Sequence, residues 1–106
     1  MRVLLDECVP VQIRSALPEH EVNTTQKMGW GGISNGELLA LAEQARFELL
    51  IVADRNLRYQ QNLSGRRIAV LELWTNHRPT LEQHFARIRV LVAQASPGAY
   101  LVLEAT

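Results

Sequence analysis

Apolar residues along this chain follow two different spacings, and each change of spacing marks a new element. Residues 2 to 5, "RVLL", read as a short buried strand. Pro10 suits the first turn of a helix, in which Val9, Ile13, Ala16 and Leu17 fall at helical spacing until Pro18 stops it. "HEVNTT", 20 to 25, is a weaker strand, and "MGWGGISNG", 28 to 36, is a glycine-rich loop built around Trp30. Ser34 opens a second helix, whose apolar side is Leu38, Leu41, Ala42 and Ala45. "ELLIVA", 48 to 53, is apolar without alternation, the pattern of a strand covered on both faces in a parallel sheet.

After a polar stretch, "IAVLEL", 68 to 73, is another strong strand. Pro79 and Thr80 then start a long helix lined by Leu81, Phe85, Ile88 and Val92. "PG" at 97 and 98 ends that helix before a last strand, "YLVLE", 100 to 104. Strands and helices joined in this order by short connections predict one α/β domain over residues 1 to 106. Its architecture is a three-layer α/β/α sandwich around a mostly parallel, open sheet of about four to five strands.

Composition narrows the function. The 11 basic and 11 acidic residues cancel, so bulk positive charge does not hold nucleic acid here, and any such contact is local. A lone cysteine, Cys8, forms no internal disulfide, and neither a signal sequence nor a membrane span is legible. The expectation is a cytoplasmic protein with no membrane partner. Acid usage carries more information, because only two of the acids are aspartates, Asp6 and Asp54, and each directly follows an apolar run.

In open α/β sheets ligands bind outside the carboxyl ends of the strands, where both aspartates fall. If their strands are neighbours, two carboxylates about 4 Å apart repel by roughly 4 kcal/mol at an effective dielectric near 20. A proton, an arginine or a divalent cation held by oxygen ligands would offset that repulsion. Taken singly, each aspartate also suits a helix cap. Glu37 is the third candidate, although "SNGE" equally fits a capping box in which the glutamate reaches back to the cap. Glu7, Asn35 and Asn56 stand beside these acids as outer oxygen donors, each with an ordinary reading as a rim, cap or turn residue. Around Asp54 the chain turns basic, with Arg55, Arg58, Arg66 and Arg67 and the interleaved Tyr59. Arg55, Arg58 and Tyr59 would steady a phosphate backbone and stack a base, or simply form a solvated face.

"VLLDECVP", "GWGGISNGELLALAEQARFELLIVADRNL" and "LWTNHRPTLEQHFARI" resemble the compact PIN-like proteins of the PIN/VapC-like superfamily, small predicted nucleases of toxin–antitoxin systems. The resemblance covers nearly the whole chain. It implies an α/β/α sandwich and Mg²⁺- or Mn²⁺-dependent cleavage of RNA, with Asp6, Glu37 and Asp54 both holding the metal and serving catalysis. It also brings RNA as substrate, an antitoxin protein as partner and a homodimer as the assembly to look for. One departure is that many active members carry a fourth acid, where this chain offers Asn56 or Asn76.

Two rival readings follow from the same residues. A PIN-like domain without turnover would serve as an interaction module. A phospho-acceptor receiver would use Asp6 and Glu7 for Mg²⁺, Asp54 for the phosphoryl group and Thr75 as the responding hydroxyl. Receivers place a lysine after the last strand, however, and the only lysine here is Lys27.

Overall fold

Five short strands make one sheet: β1 (Arg2–Leu5), β2 (Glu21–Thr24), β3 (Leu49–Val52), β4 (Ala69–Leu73) and β5 (Tyr100–Leu103). The structure is a computed structural model and describes residues 1–53 and 65–105. All four pairings are parallel and the strand order is β2-β1-β3-β4-β5. β3 and β4 are buried along their whole length, which is why they read as unbroken apolar runs. The α/β class and the parallel sheet are as the hydrophobic pattern predicted.

Alternate strand residues feed two cores. Val3, Leu5, Leu49, Ile51, Leu71 and Leu73 pack with Ile13, Leu17, Leu81, Ile88 and Val92 on one side. Leu4, Leu50, Val52 and Val70 pack with Leu38, Leu39 and Ala42 on the other. The second side is covered by α2 (Asn35–Gln44). The first is covered by a 3₁₀ helix (Val11–Ala16) with α3 (Arg78–Glu82) and α4 (Phe85–Gln94). These faces are the three layers. Among the described residues no helix is long and apolar enough to cross a membrane.

Three local expectations need correction. The segment after Pro10 is a 3₁₀ rather than an α-helix, closed by bonds such as Ile13 N–H to the Pro10 carbonyl, with the next proline cutting it short. Thr25–Met28, expected as strand end and loop, forms a one-turn helix, α1, because Thr24 Oγ1 caps it by accepting from the Lys27 N–H. The long helix after Pro79 breaks in two. Gln83 and His84 donate to carbonyls three residues back, and His84 leaves helical geometry at φ −116° while its ring meets Trp74 edge-on at 5.0 Å.

At the far end of α2 the backbone closes in a Schellman arrangement. Arg46 N–H donates to the Glu43 carbonyl and Phe47 N–H to that of Ala42. Arg46 sits at φ 65°, where glycine is the usual occupant and any other residue costs about 1–2 kcal/mol.

Candidate active site at the carboxyl edge of the sheet

β1 connects to β2 on one side and the chain then returns to β3 on the other, so the topological switch point lies between β1 and β3. These strands pair directly, Leu5 opposite Ile51. The ladder runs one residue further, since the Asp6 N–H donates to the Ile51 carbonyl at 3.0 Å. Asp6 is therefore held by backbone at the mouth of the crevice. The strand leading to Asp54 is its neighbour, as the two-aspartate reading requires.

Asp6 is half-buried, and its Oδ2 accepts the Cys8 thiol at 3.3 Å. Oδ1 has no hydrogen bond among the described residues. Burial pushes the Cys8 thiol above its ordinary value; an Ala53 backbone contact opposes this, and the adjacent Asp6 charge adds to the rise. The thiol thus stays protonated and donating in neutral solution. Glu7 is exposed, its backbone carbonyl accepts from Gln26 Nε2 at 3.3 Å, and the glycine loop passes close enough that a Cβ on Gly31 would lie 3.6 Å from Glu7 Oε2. That loop therefore borders the acid end of β1. Trp30 anchors it, with its ring edge-on to Phe47 at 6.1 Å.

Glu37 occupies the first turn of α2, and only half of the expected capping box is present. Ser34 Oγ accepts the Glu37 N–H at 3.3 Å, yet the Glu37 carboxylate makes no hydrogen bond or ion pair among the described residues. Its side chain is exposed, on the helix end that faces the carboxyl edge of the sheet. Asn35, next to the cap, is partly buried. Asp54, Arg55, Asn56, Arg58 and Tyr59 lie outside the described residues. Among the described residues no three His, Cys, Asp or Glu side chains are gathered as a metal would need, so Asp6, Glu7 and Glu37 do not form such a group by themselves.

Only Arg66 and Arg67 of the basic stretch are among the described residues. Arg66 and Arg67 immediately precede β4 and so sit at the amino edge of the parallel sheet, away from Asp6. There Arg66 Nη1 binds Glu43 Oε1 at 2.8 Å.

The contacts of two residues escaped the sequence reading. Cys8 is one, although its position two residues past Asp6 at a strand end was legible. The other is Glu72, 1% exposed in the middle of β4, where Oε1 accepts the Tyr100 hydroxyl at 2.7 Å. An acid inside "IAVLEL" was the available signal. Glu72 lies opposite Val52 on the α2 side of the sheet, two strands across from the Asp6 row. Compared with known proteins, the chain matches no family model, no curated protein and no solved structure.

Proposed function

We propose that this protein is a PIN-like, Mg²⁺- or Mn²⁺-dependent ribonuclease, the toxin of a toxin–antitoxin pair, acting at the carboxyl edge of its sheet. The observation that carries this reading is the direct pairing of β1 with β3, which puts Asp6 at the switch point beside the strand that runs into Asp54. The donor chemistry fits a hard divalent cation: Asp6 Oδ1 and the Glu37 carboxylate are uncommitted among the described residues, and the functional positions offer oxygen ligands.

Asp6, Glu37 and Asp54 would hold the cation. A bound divalent ion supplies a hydrolytic nucleophile at neutral pH and offsets negative charge on the scissile phosphate. The chain's own part is positional. The β1–β3 ladder fixes the Asp6 backbone, the Cys8 thiol orients its carboxylate by occupying Oδ2, and the Ser34 cap sets the start of the helix that carries Glu37. Arg55, Arg58 and Tyr59 are the residues proposed to steady the RNA. The receiver reading loses further ground, because Lys27 belongs to α1 after β2 and not to the end of β5.

The test is Mn²⁺-dependent cleavage of a mixed RNA pool by the wild-type protein and by Asp6→Asn, with Mn²⁺ affinity measured on both and on Asp54→Asn. Cleavage that requires Mn²⁺, stops with chelator and disappears in Asp6→Asn is the expected result. Unchanged Mn²⁺ affinity in both aspartate variants would refute the metal site. A wild-type protein that binds Mn²⁺ and cleaves nothing would instead identify the non-catalytic PIN-like module.

A further inference from the structure

A groove of about 670 Å³ opens at the amino edge of the sheet, the end opposite Asp6. Arg46, Phe47, Arg67, Ala95, Ser96 and Pro97 are among its walls. The volume falls within the range typical of small-molecule sites, about 300–1,000 Å³.

Its charges are unequally committed. Glu43 accepts from Arg66 Nη1 at 2.8 Å and from the Arg67 N–H at 3.2 Å, and Glu48 Oε1 accepts from the Arg2 N–H at 3.2 Å. Glu43 is thus held by the protein's own donors, while the exposed Glu48 accepts only that backbone N–H among the described residues. Among the described residues the guanidinium groups of Arg46 and Arg67 make no hydrogen bond or ion pair. Two guanidinium groups with free N–H donors therefore line the groove, Arg67 with the Glu43 charge nearby.

The walls are also preset. Arg67 is pinned through its backbone, its N–H on Glu43 and its carbonyl accepting the Gly98 N–H at 2.8 Å. Gly98, at φ 78°, lets the 95–97 wall lie so close that a Cβ there would stand 3.1 Å from the Arg66 carbonyl. Arg46 occupies a left-handed position that glycine would fill with less strain, so its side chain is kept against a conformational cost.

We infer that this groove binds a small phosphate monoester, of the nucleoside 5′-monophosphate class, with its dianionic phosphate between Arg46 and Arg67 and its body along Ala95 and Pro97. Forked guanidinium donors match phosphate oxygens, and the wall at Ala95 and Pro97 has room for a ring. The inference is independent of the ribonuclease reading, which concerns the other edge.

Calorimetric titration of the full chain with adenosine 5′-monophosphate, inorganic phosphate and adenosine tests it. Expected are binding of the monophosphate, weaker binding of phosphate and none of adenosine. Arg46→Gly and Arg67→Gln should each weaken monophosphate binding on the order of tenfold, the value of one charge-assisted contact. Arg46→Gly should melt no lower than wild type, and Asp6→Asn should bind the monophosphate as wild type does. No monophosphate binding at millimolar concentration, full affinity in both arginine variants, or loss of binding in Asp6→Asn would each overturn the inference. So would a lower melting temperature for Arg46→Gly, since Arg46 would then be a structural residue.

Discussion

Replacing Tyr100 with phenylalanine removes one hydroxyl from the α2 side of the sheet and leaves the ring in place. That hydroxyl donates to Glu72 Oε1 at 2.7 Å, and Glu72 is 1% exposed, so water does not readily take its place. Losing a hydrogen bond to a buried, ionisable acceptor costs about 1–3 kcal/mol. For a domain near this size each kcal/mol lowers the melting temperature by roughly 4–8 °C. Urea denaturation followed by the fluorescence of Trp30 and Trp74 would read the loss as a lower midpoint at unchanged slope. Mn²⁺ affinity should stay at the wild-type value in Tyr100→Phe, because the pair joins β4 to β5 and the proposed ligands are Asp6, Glu37 and Asp54. A Tyr100→Phe protein within about 0.5 kcal/mol of wild type, the range of an indifferent surface change, would refute the reasoning.

Cys8 should alkylate more slowly than a free thiol at pH 8, because burial and then the Asp6 charge raise its pKa and keep the reactive thiolate scarce; Asp6→Asn should speed the reaction a few-fold, and an unchanged iodoacetamide rate would count against the contact. For Glu43, burial alone would raise the pKa, but hydrogen bonds from Arg66 and the Arg67 N–H, with both guanidinium charges, bring it below the ordinary value of 4.5. A depressed folded pKa means stability that is full above the unfolded value and lost as pH falls through the folded one. The stability gap between wild type and Glu43→Gln should therefore close on acidification, and a gap independent of pH in denaturation curves would contradict the ion pair. Ser34→Ala removes the cap on the Glu37 N–H and should cost about 1 kcal/mol, with Ser34→Asp retaining most of it; equal melting temperatures for all three proteins would show that the cap contributes nothing.

The sequence by itself determined the class and the order of elements. "LLIV" and "AVLEL" read as strands covered on both faces, and the alternation of strands and helices along the chain predicted a mostly parallel sheet. Asp6 at a strand end was legible for the same reason, since a carboxylate closing an apolar run must emerge where burial stops. The sequence also showed Ser34 as a cap, because a short hydroxyl followed by a helical apolar stripe has few other uses.

Tertiary structure decided what one-dimensional spacing does not encode. Strand order is set by how the sheet's two faces are shared between helices, and the adjacency of β1 and β3 follows from that packing, although residues 6 and 54 are far apart in the chain. Position along the strand axis left Arg66 and Arg67 at the amino edge, at the opposite end of the sheet from Asp6, although they follow Asp54 closely in the sequence. The helix breaks at His84, whose ring packs on Trp74, although the apolar periodicity runs straight through the break. Glu72 meets a hydroxyl 28 residues away, for a buried carboxyl is tolerable inside a strand when the neighbouring strand brings a hydrogen-bond donor.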